Sequence, residues 1–124
     1  MKSPPLFMPD VALDSGYSLP TIQERRLRQV IEIIGSDPAS SVGDLAERVS
    51  LSPAHLQRLF KRQTGIQLGC LITEWRLQKA AELLKSTHLS IKEVAHRVGY
   101  QHHSSFVRAF ERRFAQTPKL YRNQ

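Results

Sequence analysis

The sequence predicts an all-α fold: helix-start signals recur along it, apolar residues follow them at three- and four-residue spacing, and its second half repeats the pattern of its first. The clearest stretch is residues 52–65, SPAHLQRLFKRQTG. Ser52 is placed to cap an early free N–H, Pro53 to take the first helical position where its missing donor is harmless, and Gly65 to supply a left-handed stop. Leu56, Leu59 and Phe60 fall on one side of this helix, with Gln57, Arg58, Lys61 and Arg62 over the rest.

At 124 residues the chain has room for one compact domain or two very small ones. Eighteen Lys and Arg against eleven Asp and Glu give a formal charge of +7, which favours a polyanionic partner; a merely soluble basic surface is the alternative. No apolar run approaches the roughly 18 residues that cross a bilayer, and the N-terminus lacks the apolar centre of a signal peptide. The expected location is therefore the cytoplasm, with no membrane partner. The single cysteine, Cys70, cannot form an internal disulfide, and its neighbours Leu71 and Ile72 point to a packed small hydrophobe rather than a redox sensor.

Taken in order, residues 1–20 hold four of the seven prolines and no sustained period, so they read as a flexible arm or interdomain linker, or as what is left of an upstream domain. Thr21 and Glu24 form a capping-box pair, and Ile22, Leu27, Val30, Ile31 and Ile34 give an apolar face running to about residue 35. Asp37-Pro38 breaks the helix. Ser41 with Asp44 opens a second, short one with the stripe Val42, Leu45, Ala46 and Val49, and only Ser50 and Leu51 separate it from the Ser52 cap. The longest period, about residues 68–86, spreads Leu71, Ile72, Trp75, Leu77, Ala80, Ala81, Leu83 and Leu84 round much of its circumference, as a helix with neighbours on two sides would. Trp75 reads as core rather than as a partner-binding anchor. Ser90 with Glu93 starts another short helix, striped by Ile91, Val94, Ala95 and Val98, and Gly99-Tyr100 turns the chain. The last long helix, about residues 103–114, carries Phe106, Ala109, Phe110 and Phe114 inward before Thr117-Pro118.

An offset of 49 residues superposes Ser41 on Ser90, Asp44 on Glu93, Ala46 on Ala95, Arg48 on Arg97 and Val49 on Val98. One extra residue in the second turn makes it 50, which matches Leu56 with Phe106, Arg58 with Arg108, Phe60 with Phe110 and Arg62 with Arg112. Packing explains the apolar matches but does not ask for arginine. Each unit is a short helix, a turn and a basic helix, the helix-turn-helix arrangement whose second helix enters a major groove. The organisation expected is an arm over 1–20, a first unit over 21–66, a linker helix over 67–86 and a second unit over 87–124.

These residues, DLAERVSLSPAHLQRLFKRQTG, WRLQKAAELL and VAHRVGYQHHSSFVRAFERRFAQTPKLYR, resemble the DNA-binding domain of AraC/XylS-type transcriptional regulators, with HLQRLFK similar to the short single-domain, MarA-like members. The resemblance covers roughly residues 21–122. It implies about seven helices, promoter binding and, usually, activation through contact with RNA polymerase. Departures are specific. Family members often have glycine where Ser50 stands, and a residue held left-handed there would cost about 1–2 kcal/mol. The usual Ser-Pro at the linker start is Gln67-Leu68, the usual Tyr is Leu71, the cap of the last long helix is His102, a frequent lysine is Glu111, and a frequent glycine is Ala115.

Arginine grips guanine O6 and N7 with two parallel bonds, and glutamine does the same for adenine. The base-reading candidates in the first unit are therefore Gln57 and Arg58, with Ala54 for a thymine methyl. In the second unit the resemblance places His103, Ser104, Ser105 and Arg108 at base-facing positions. Lys61, Arg62, Arg112 and Arg113 suit phosphates, as do the free N–H groups beside Ser41 and Ser90, for which plain capping is the equal alternative. A solvated charged face is the competing reading throughout. His88, His96, His102 and His103 share one region, but no ligand spacing or catalytic motif accompanies them, so neither a metal, a cofactor nor an enzyme is expected. Double-stranded DNA is the expected partner, for which a monomer suffices; a dimer would follow from a missing upstream domain. The alternative function is a protein-interaction co-regulator with only weak, non-specific DNA binding.

Overall fold

The computed structural model describes residues 25–124; the arm expected over 1–20 and the Thr21–Glu24 cap lie outside the described residues. Within them the chain forms seven helices and no strand: α1 (Arg25–Ser36), α2 (Val42–Arg48), α3 (Pro53–Thr64), α4 (Leu68–Ser86), α5 (Ile91–Arg97), α6 (His103–Phe114) and α7 (Pro118–Arg122).

Local chemistry sets the starts and stops. The Ser41 hydroxyl accepts from the Asp44 N–H at 3.0 Å while the Asp44 carboxylate accepts from the Ser41 N–H at 3.2 Å, and Ser90 with Glu93 repeats the exchange at 3.0 and 2.8 Å. Those two bonds to Ser90 hold the Glu93 carboxyl below its ordinary value, with Arg97 adding to the effect. The Ser52 hydroxyl accepts from the His55 N–H at 3.1 Å, and Pro53 occupies the first turn of α3. Gln67 and His102, by contrast, start α4 and α6 without a side-chain cap bond.

Both turns and both ends of the basic helices use left-handed backbone. Gly65 ends α3 at φ 79° and Ala115 ends α6 at φ 63°; Ser50 turns the first unit at φ 60° and Gly99 the second at φ 108°. Each unit thus places one glycine and one strained residue at equivalent positions. The strain anticipated at Ser50 is present, and Ala115 adds a second instance.

Two hydrophobic clusters share α4. Its first half contributes Leu68, Leu71 and Ile72, with Trp75 alongside, to a core built on Leu27, Val30, Ile34, Leu45, Leu56 and Phe60. Its second half contributes Leu77, Ala80, Ala81, Leu83 and Leu84 to a core with Val94, Val98, Phe106 and Phe110. The apolar spread seen along this helix is therefore two stripes in series, one per lobe. Cys70 departs from expectation: it is exposed, because it sits on the solvent side of the first turn of α4 while its neighbours Leu71 and Ile72 point into the core.

Candidate nucleic-acid interface

At about 100° per residue, Ala54, Gln57, Arg58, Lys61 and Arg62 fall on one arc of α3, opposite Leu56, Leu59 and Phe60. The structure bears out that division: the three apolar side chains are buried and all five polar-face residues are exposed. The core thus anchors the helix from behind and leaves its outer arc to solvent. That arc forms one wall of an open groove of about 660 Å³ whose other wall is the start of α4, with Gln67 and Gly69. These two residues carry no sequence signal of an interface beyond the missing cap at Gln67. None of Arg58, Lys61 and Arg62 enters an ion pair among the described residues, so three cations face this groove without a compensating acid.

α6 repeats the scheme incompletely. Arg108 and Arg112 are exposed and enter no ion pair among the described residues, Ser104 is exposed, and Ser105 is half-buried. The equivalent of Gln57 is Val107, half-buried against the second core, and the equivalent of Lys61 is Glu111. His103 is exposed but opens the helix in the phase of Phe110, lining a cleft between α5 and α6 with His96, Tyr100 and Gln101 rather than the arginine arc.

Arg113 lies apart from the phosphate-facing set expected of it. Its Nε donates to Glu74 Oε1 at 3.0 Å and its Nη2 to Glu74 Oε2 at 3.1 Å, while its guanidinium stacks 4.7 Å from the Phe114 ring. The pair is largely shielded, with side-chain exposures of 24% and 14%. A charge neutralised on the linker helix has little left for a phosphate. Ser41 and Ser90 are exposed, but their hydroxyls and N–H groups are engaged in the capping boxes, which supplies the capping role directly.

Among the described residues no group of three or more His, Cys, Asp or Glu side chains could hold a metal ion, and no helix is long and apolar enough to cross a membrane. The chemistry on offer is a pair of convex basic helices, each rooted in its own core.

Comparison with known proteins extends this picture. Residues 45–124 match the family model described as a helix-turn-helix domain. The chain is 40% identical over 86 residues to the Right origin-binding protein of Escherichia coli, an alignment covering 69% of this chain and 30% of that protein. Across that protein and seven further curated relatives, the chain spans 25–36% of their length. Among solved structures, the C-terminal domain of AraT, a response regulator from Geobacillus stearothermophilus, superposes with a TM-score of 0.69 at 37% identity, over 79% of this chain and 84% of that one. The DNA-binding domain of AdpA, a global transcriptional factor captured with a target DNA, also gives 0.69, at 26% identity over 78% of this chain and 89% of that one.

Proposed function

Since the chain belongs to the AraC-type helix-turn-helix family of transcriptional regulators, we propose that it binds an asymmetric promoter site with α3 and α6 in successive major grooves of one duplex face. The observation that carries this reading is the recurrence of Arg58 as Arg108 and Arg62 as Arg112, all four exposed and without an ion pair among the described residues, on helices whose opposite faces are buried. With 19 residues at about 1.5 Å each, α4 spans roughly 28 Å. With flanking helices added, that is of the order of the roughly 34 Å between groove openings on one face. A monomer suffices for such a site.

In this reading Gln57, Arg58 and Ala54 read bases in one groove, and Arg108 with Ser104 and Ser105 in the other; His103, expected among them, is withdrawn because it lines the α5–α6 cleft instead of the arginine arc. Lys61, Arg62 and Arg112 hold phosphates, as do the remaining free N–H groups that follow Ser41 and Ser90 at the starts of the scaffold helices; Arg113 is withdrawn from that set. The output is activation through contact with RNA polymerase, in the bacterial cytoplasm and on the nucleoid. Selection of binding sites from random duplexes tests the core of this: two short preferred blocks about one helical turn apart are expected, and recovery of no preference sinks it.

A second reading has its own observation, the weak second head, in which Glu111 stands where α3 has Lys61. There the chain is a co-regulator that docks on RNA polymerase or another regulator and holds DNA loosely. Partner capture that survives replacement of both Arg58 and Arg108, in a protein without sequence preference, would favour it.

A further inference from the structure

Arg76 lies midway along α4, where the two cores meet. Its Nε donates to the Pro38 carbonyl at 2.7 Å, and its Nη2 donates to the carbonyls of Ala39 and Ser40 at 3.3 and 3.2 Å. Those three carbonyls form the loop that leads into the scaffold helix of the first unit. The same guanidinium lies 5.8 Å from the ring centre of Tyr100, which follows the turn of the second unit. Tyr100 packs in turn on Phe106 of α6 at 5.5 Å. Burial pushes the Tyr100 phenol above its ordinary value, and the Arg76 charge opposes that shift.

The backbones of the two units also meet here. A Cβ added to Gly99 would stand 2.9 Å from Ala39 Cα and 2.9 Å from Arg76 Nε and Cζ. The turn of the second unit therefore rests on the loop of the first, with Arg76 filling the corner between them. Only a planar fork reaches three carbonyls and still presents a face to a ring; a lysine ammonium has the charge without that shape.

We propose that Arg76 is a positioning residue that sets the angle between the two lobes and thereby the spacing between DNA half-sites that the chain accepts. The spacing consequence rests on the two-groove reading; the clamp itself does not. One added base pair carries the second half-site along by about 3.4 Å and round by about 34°. A rigid joint cannot follow that movement, whereas a loosened one can. Arg76 touches no base in this scheme, so its loss should alter tolerance to spacing and leave the sequence preferred within each block unchanged.

The test uses the full chain with Arg76→Met and Arg76→Lys, the latter keeping the charge and stem should the former fail to fold. Spin labels on Glu47→Cys and Lys92→Cys, with Cys70→Ser as background, report the distance between lobes without DNA. Binding is then measured on duplexes whose two blocks are moved apart or together by one base pair. Wild type should give one narrow distance population and lose about tenfold in affinity on misspaced duplexes, as for a base mismatch, while the variants should broaden the population and lose less than about threefold. An unchanged population with an unchanged spacing penalty overturns the proposal. If wild type selects a single block, the two-groove reading and the spacing consequence fall together, and the DNA-free distances alone then decide whether Arg76 is the clamp.

Discussion

The first lobe packs mainly aliphatic side chains around Phe60 and Trp75 and presents a basic face without an acid on it; the second adds a run of touching rings to its aliphatic side chains and presents a basic face broken by Glu111. Leu56 in the first core corresponds to Phe106 in the second, and Leu71 to Tyr121. In the second lobe Phe106, Phe110, Phe114 and Tyr121 form a chain of ring contacts with centroids 4.5 to 5.7 Å apart. Two cores of such different composition support the same helix geometry because each needs only the right volume at the right phase. The exterior obeys no such rule. There Arg58, Lys61 and Arg62 of α3 pair with no acid among the described residues, whereas α6 sets Glu111 among its arginines and gives Arg113 to Glu74. The apolar phases that the two lobes hold in common are what the fold requires; the arginines they share, Arg58 with Arg108 and Arg62 with Arg112, are not, and what the lobes do not share leaves α3 the more uniformly basic exposed face.

The sharpest way to break the likeness between the lobes is at their turns. Gly99→Ala should destabilise the chain by about 3 kcal/mol, since the new Cβ meets Ala39 Cα as well as a left-handed backbone. A urea midpoint that does not move would show that the lobes are not held together there. At the DNA, Arg58→Ala should remove about 1–3 kcal/mol of discrimination at one block, and Arg108→Ala less at the other, in competition against duplexes altered block by block. Equal losses would make the heads equivalent.

Relieving strain has a smaller effect. Ser50→Gly and Ala115→Gly should each stabilise by about 0.5–1 kcal/mol, the relief of roughly 1–2 kcal/mol being partly offset by the extra freedom of glycine in the unfolded chain. Thermal melts would read this, and a lower melting temperature would contradict the strained assignment. The least change is expected in the salt dependence of binding. Arg62→Ala should make the slope shallower by about one unit, and Arg113→Ala should change it by much less while lowering thermal stability, because Glu74 already holds that charge. A full unit lost from Arg113→Ala would return it to the phosphate set.

Most of the fold was legible because its signals are local. Ser41 with Asp44, Ser90 with Glu93, Ser52 with Pro53 and the closing Gly65 act within a turn or two of themselves, so spacing along the chain is enough to read them. The outward arc of α3 was legible for the same reason, its opposite face being plainly apolar. Cys70 is exposed against expectation because flanking hydrophobes do not tell which way a residue points at a helix start. Arg113 resembled its exposed neighbour Arg112, and its partner Glu74 stands 39 residues away.

By itself, then, the sequence determined six of the seven helices, the serine caps of α2, α3 and α5, the duplicated pattern and the basic face of α3, all of which follow from periodicity and from bonds between near neighbours, while the count of seven came with the family resemblance. Tertiary structure alone decided which arginines remain free, where α4 divides its two cores, and how the lobes meet at Arg76, Gly99 and Ala39. Those outcomes depend on contacts between residues tens of positions apart, made only when the helices pack, and no local pattern encodes the partner of a guanidinium.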